Sequence, residues 1–253
     1  EPRYSYPTAA DVFRPSVCYP EYPYQQDISR EDNHVYAMVR EGLYLCGMDQ
    51  EHYGLPQWNP LGEFIQPGNR VLIKPNLVLH ENLGGYGEEC LYTQPSVVAA
   101  MIDYVIIALK GNGTIVIGDA PLQECVFDTL LETSGYGRLI EYYAAKGIDI
   151  KITDFRNTKT YVKDGIHYLQ TVNETDHGTI VQMDQSSLFA GKSEKELKNL
   201  RITNYDPRIL QKHHNSNRHE YNISSEVLAA DVIINVPKPK THRKAGITGA
   251  LKN

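Results

Sequence analysis

Short apolar runs at intervals, "VLI" at 71–73, "IVIG", "IDIKI" and "DVIINV", separated by stretches with helical spacing, constrain this chain more than any other feature. Strands that alternate with helices pair side by side in parallel, because each return to the same edge of the sheet needs a crossover segment. "TQPSVVAAMIDYVIIALKG" supplies one crossover: Thr93 as cap, Pro95 in the first turn, an apolar face of Val98, Met101, Ile102, Val105 and Leu109, and Gly111 just past the end. "TSGYGRLIEYYAAKG" reads as a second helix leading into "IDIKITDF". A further helix is expected from Ser29, its cap, with Val35, Met38, Val39, Leu43 and Leu45 near helical spacing. The pattern predicts an α/β fold with a mostly parallel sheet and crossover helices.

Two regions break the rhythm. Residues 1–28 hold several Pro and Tyr without a period and are expected to form an arm on the surface of an α/β domain over 29–253. Between about 156 and 222, "TYVKDGIHYLQTV" reads as a hairpin around Asp164 and Gly165, and Ser193 with Glu196 forms a capping box, so an inserted β-rich subdomain is expected there. Ser224 then caps "SEVLAA" before the strand "DVIINV".

A chain of 253 residues can bury a substantial core, and no stretch has the apolar length of a membrane span. Cys18, Cys46, Cys90 and Cys125 lie far apart, which indicates neither a disulfide framework nor a structural metal site, and points to a reducing compartment such as the cytoplasm. The chain opens at Glu1 without a methionine, which is compatible with removal of a leader. Its net charge of -6 argues against a nucleic-acid surface.

Yet the last segment, "KPKTHRKAGITGALKN" at 238–253, carries five Lys or Arg side chains and no carboxylate. One basic segment in an acidic protein points to a local anion site. In open parallel sheets ligands gather beyond the carboxyl ends of the strands. Three expected strands end there in polar groups: Lys74 and Asn76 after "VLI", Asp119 after "IVIG", and Asn235, Lys238 and Lys240 around "VIINVP". Ammonium groups only donate, so gathering Lys74, Lys238 and Lys240 calls for an anion, either Asp119 or a phosphate or carboxylate ligand. Gly246, Thr248 and Gly249 would add backbone N–H groups at an expected helix start. His242 is the candidate proton carrier, with Asp119 and Lys240, and its lysine neighbours favour the neutral imidazole. Asn76 and Asn253 would orient polar groups of the substrate. Any one strand-end lysine also fits a solvated cap; three converging ends tip the balance.

A second cluster, "HHNSNRHEY", offers His213, His214 and His219 as ligands for a divalent metal, or as imidazoles hydrogen-bonded within a solvated loop. Walker, GxGxxG, GxSxG and HExxH signatures are all missing from the sequence. Two readings follow: an enzyme acting on a small anionic substrate, or a non-catalytic protein that docks an acidic glycan or protein partner, the Tyr-rich arm adding contact surface.

Taken together, "VLIKPNLV", "TQPSVVAAMIDYV", "IVIGDAP", "HHNSNRHEY" and "ADVIINVPKPKTHRKAGITGALKN" resemble the bacterial family called domain of unknown function 362, over residues 60–253. The resemblance implies an α/β fold with a site at these strand ends. Some members of the family carry a ferredoxin-like iron–sulfur module with closely spaced cysteines, which this sequence does not have, so no iron–sulfur cluster is expected in it. The "HHNSNRHEY" type resembles proteins of surface-polysaccharide gene neighbourhoods, which implies phosphorylated or nucleotide-linked sugars as substrates. In the family the chain continues past "TGALKN", which implies that the C-terminal part of the domain is missing here.

Overall fold

The computed structural model describes residues 11–85, 87–164, 166–172, 178–201, 207–242 and 245–253. Its first elements are α1 (His34–Leu45), β1 (Arg70–Pro75), α2 (Pro95–Leu109), β2 (Thr114–Asp119), α3 (Phe127–Ser134), α4 (Tyr136–Ala144) and β3 (Ile150–Asp154). A second unit, Leu122–Glu124 with Phe155–Ala229, follows in the chain. It holds an antiparallel hairpin of β4 (Thr158–Lys163) and β5 (Ile166–Thr171), then β6 (Thr179–Gln182), α5 (Glu194–Lys198), α6 (Pro207–His213), β7 (His214–Asn215), β8 (Arg218–Ile223) and α7 (Ser225–Leu228). The first unit resumes with β9 (Val232–Val236), β10 (Lys240–His242) and β11 (Gly246–Thr248).

Four strands form one sheet in the order β3-β2-β1-β9, every pair parallel, so the α/β architecture read from the alternation is the one the chain adopts. Val71, Leu72 and Ile73 are all buried although they alternate between faces, which is what a sheet covered on both sides requires. β9 is one of the two edge strands, with β3 at the other edge: Ile233 is 47 % exposed, and Val236 is the one buried residue of β9. α2 packs on the sheet with Val98, Ile102 and Val105 fully buried. The second unit is antiparallel throughout its strand pairs, including β6-β8-β7. Ser193 and Glu196 make the reciprocal capping box, and Ser224 caps α7 by accepting from the Glu226 amide. Asp164 turns the β4–β5 hairpin with φ 53°; Gly165 lies outside the described residues.

Several local expectations differ from the structure. Asn33, not Ser29, caps α1, its Oδ1 accepting from the Tyr36 amide, while Ser29 Oγ bonds within its own turn to Glu31. The helix also buries another face: Tyr36, Arg40 and Leu43 turn inward, whereas Met38 and Leu45 are 54 % and 71 % exposed. The segment ahead of "IDIKITDF" is two helices, α3 and α4, separated at Gly135, whose φ of 85° is a left-handed conformation that glycine adopts without a Cβ penalty. Residues 11–28 of the Pro/Tyr-rich arm, expected on the surface, are built into the core instead. Val12, Phe13 and Tyr22 are buried, and Asn33 Nδ2 donates to the carbonyls of Val12 and Arg14. Aromatic rings supply large apolar areas without needing a secondary-structure period, so composition alone does not reveal this packing.

Candidate functional site

From β1 the chain moves to β2 on one side, while β9 lies on the other, so β1 and β9 flank the point where the strand order switches. Loops leaving such a point diverge, and the crevice beyond the carboxyl ends is where open α/β sheets hold ligands. In the β1–β9 register Lys74 stands beside Asn235 and Pro75 beside Val236, so Asn76 and the segment after Val236 leave the sheet together.

Three hydrogen-bond groups shape this edge. Lys74 Nζ donates to Asp119 Oδ1 at 2.5 Å and the Leu77 amide donates to Oδ2 at 2.6 Å. With a side chain only 6 % exposed, Asp119 holds Lys74 and the first turn of the loop after β1, and both of its oxygens are engaged. Thr93, expected to cap α2, does something else: the helix starts after Gln94 without a side-chain cap, and the buried Thr93 hydroxyl accepts from the Asn76 amide at 3.0 Å and donates to the Val236 carbonyl at 2.7 Å. One hydroxyl therefore ties the ends of β1 and β9 together. Removing it in Thr93→Val leaves a buried amide and a carbonyl without that partner, with an expected cost of about 2 kcal/mol, read as a lower urea midpoint at unchanged slope.

Third, Lys240 Nζ donates to Asn76 Oδ1, and among the described residues no carboxylate lies within ion-pair distance of it. Its amine is held below the ordinary lysine value, by burial first and then by the charges of Lys252 and Lys238, with Cys90 and Asp119 acting weakly the other way. Across the β10–β11 pair Lys240 faces Thr248, a buried residue whose Oγ1 has no hydrogen-bond partner among the described residues.

The glycines of the basic tail are not at a helix start. β-branched Ile247 and Thr248 pair with Thr241 and Lys240 as a strand. A turn follows in which the Gly249 carbonyl accepts from the amides of Lys252 and Asn253. Asn253 then reaches back, its Nδ2 donating to the Lys74 carbonyl at 3.1 Å and to Asn235 Oδ1 at 2.7 Å, while Asn235 donates to the Ala250 carbonyl. His242 shares a face of β10 with Lys240, and its Nδ1 accepts from the Ala245 amide at 2.9 Å. Arg243 and Lys244 of the same tail lie outside the described residues.

Lys74, Asn76, Asp119, Lys240 and Asn253 are thus linked by side-chain and backbone hydrogen bonds at one edge, with Thr248 and His242 on the adjoining hairpin and Lys238 acting on Lys240 through its charge. Sequence reasoning passed over Thr93 and Lys252 as site residues, and it named Asn235 at its strand end without giving it a role. For Lys252 the signal was available, because it is one of the five basic residues of the tail.

The histidines belong to the second unit. His213 Nδ1 bonds Glu220 Oε2 at 2.8 Å, and Nδ1 of His214 faces Nδ1 of His219 at 3.4 Å across the β7–β8 pair. His219 is buried, and Phe189 packs against both the His214 and the His219 ring. Burial holds His214 below the ordinary imidazole value, reinforced by His219 and His213. Among the described residues no group of three His, Cys, Asp or Glu side chains converges as a metal site. A cavity of about 220 Å³ beside His214 is lined by Leu197, Lys198, Gln211 and Asn215.

Among the described residues no helix is long and apolar enough to cross a membrane. Residues 71–183 and 190–253 match a family model described as Domain of unknown function (DUF362). A thylakoid-associated protein of Synechocystis sp. is 28 % identical over 193 residues, which cover 76 % of this chain and 40 % of that protein. The chain therefore spans two fifths of the length of this curated relative. No solved structure matches.

Proposed function

The chain belongs to the DUF362 family, and we propose that it is an enzyme acting on a small anionic substrate bound at the switch point between β1 and β9. The observation that carries this reading is Lys240: a half-buried ammonium or amine bonded, among the described residues, only to a neutral amide oxygen, with Lys238 and Lys252 acting on it and Asp119 bonded to Lys74. Uncompensated positive charge of this kind favours a phosphate or carboxylate ligand. Lys240 and Lys238 would hold the anion, Asn253 and Thr248 would orient neutral polar groups, and His242 would carry a proton. The "HHNSNRHEY" segment favours the surface-polysaccharide type within the family, so phosphorylated and nucleotide-linked sugars come first as candidates.

Thermal unfolding with inorganic phosphate, sugar phosphates, sugar nucleotides and divalent metals tests the reading, since a ligand bound only by the native state at about 100 times its Kd adds about 2.7 kcal/mol. A rise in Tm with an anion that is lost in Lys240→Ala is expected. Metals belong in the screen because of His213, His214 and His219. No response to any anion would favour the rival reading, a protein that docks an acidic glycan or protein partner. The relative's name places that protein at thylakoids, and association with a membrane through such a partner is the form the rival reading would take for this chain.

A further inference from the structure

We propose that Lys240 is a nucleophilic amine that condenses with a small anionic aldehyde or ketone to form an imine at this edge of the sheet. The inference rests on the anion-binding reading above and narrows its substrate to carbonyl compounds.

Lysine attacks a carbonyl carbon only as the free amine, and a solvated lysine is almost wholly protonated near neutrality. Where burial removes that hydration, a carboxylate beside the lysine favours the protonated form. The two lysines bonded at this edge differ on that point. Lys74 has its carboxylate, Asp119, at 2.5 Å. Lys240 has the neutral Oδ1 of Asn76, and Asp119, bonded to Lys74 and to the Leu77 amide, acts on it through its charge alone and after burial and the two neighbouring lysines. Burial and the charges of Lys252 and Lys238 act in the same direction, so a larger share of Lys240 is free amine at neutral pH. A cationic neighbour that activates a lysine also attracts the anionic group of the substrate, so a single arrangement serves both needs.

The step balances without an oxidant or a reductant. The Nζ lone pair forms a C–N bond to the carbonyl carbon while the π pair moves to oxygen. A proton passes from nitrogen to that oxygen, giving the carbinolamine. The C–O bond then breaks and, with one further proton, water leaves, so that the protonated imine remains. Protonated Lys238 or Lys252 stabilises the transient oxyanion. The imine then withdraws electrons from the neighbouring carbon, which suits bond cleavage or proton removal next to a carbonyl.

Glyoxylate, an aldehyde bearing a carboxylate, with cyanoborohydride at neutral pH, tests this on the full chain. Reduction fixes any imine as a carboxymethyl group, located by peptide mass mapping. Lys240 is expected to be labelled faster than any other lysine, since an amine whose pKa is lowered has a larger free-base fraction. Lys240→Arg should lose this adduct, because a guanidinium forms no imine under these conditions. Asn76→Asp, which sets a carboxylate against Lys240, should slow labelling by about tenfold or more while the lysine stays in place. Labelling spread evenly over the lysines of a protein that phosphate still stabilises would overturn the imine and leave the anion site standing. If phosphate has no effect and Lys240 is not labelled, both readings fall.

Discussion

Arg40→Met is expected to destabilise the protein by about 3–5 kcal/mol, one of the two largest effects foreseen for a single substitution here. Arg40 projects from α1 into the core, where its Nε donates to Glu21 Oε1 at 2.7 Å and its Nη2 to Oε2 at 3.3 Å. The side chains are 8 % and 1 % exposed, so water cannot replace either partner. The guanidinium also lies over the rings of Tyr19, Tyr53 and Trp58, at 4.3, 4.2 and 4.9 Å from their centroids. Most of the penalty comes from Glu21, which would be left as a buried carboxylate with, among the described residues, only the Tyr104 hydroxyl, at 3.3 Å, to bond. Lysine would not substitute well, because it lacks the planar fork that meets both oxygens. The double variant Arg40→Met, Glu21→Gln should recover much of the loss, since it buries no charge. Urea midpoints at constant slope measure both variants. A loss under about 1 kcal/mol in Arg40→Met would mean that the 11–28 segment is not locked against α1 by this pair.

That pair also explains where the sequence misled. Residues 11–28 have no period because nothing in them is helix or strand; they are held by Glu21, Tyr22 and Phe13 individually, and a contact between residues 19 positions apart leaves no local mark. The parallel sheet was legible because β1, β2, β3 and β9 are apolar runs whose ends are marked by Pro, Gly or charge, and because α2 begins with Pro95 and ends near Gly111. α1 misled through Met38 and Leu45, apolar residues on the solvent side, while the charged Arg40 faces inward. At the candidate edge, the strand-end rule found Lys74, Asn76, Asp119 and Lys240. What it did not show is their pairing: Asp119 with Lys74, and Asn76 with Lys240 across a gap of 164 residues. Thr93 fits a helix cap and a strand tie equally well in sequence, and only the arrival of Val236 beside Asn76 decides between them. In "GITGALKN" the glycines suggested a helix start, whereas strand pairing with residues 240–242 prevailed.

The second large effect is a pH dependence lodged in α2. Asp103 stands in the middle of an otherwise apolar helix face, buried, with Oδ1 accepting from the Tyr143 hydroxyl at 2.8 Å and Oδ2 without a hydrogen-bond partner among the described residues. Burial pushes its carboxyl up to about 7; the Tyr143 and Tyr36 hydroxyls and the charge of Lys146 pull the other way without restoring an ordinary value, and Asp27 adds to the rise. The sign follows from proton counting. Between the unfolded value of 3.8 and the folded value of about 7 the native state holds a proton that the unfolded chain has lost, so stability falls as pH rises. The slope is about 1.4 kcal/mol per pH unit and the total about 4 kcal/mol, present in full below pH 4 and gone above pH 7. Asp103→Asn removes the titration. Asparagine keeps an oxygen for Tyr143 but places an N–H group where Oδ2 had no partner, so its absolute stability mixes two effects. The difference between wild type and variant isolates the proton: it should shift by about 4 kcal/mol in favour of the variant from pH 4 to pH 8, with no further change above. Urea unfolding of both proteins across that range gives the measurement. A constant difference would mean that Asp103 is ionised in the native state, stabilised by the Lys146 charge more strongly than burial opposes it.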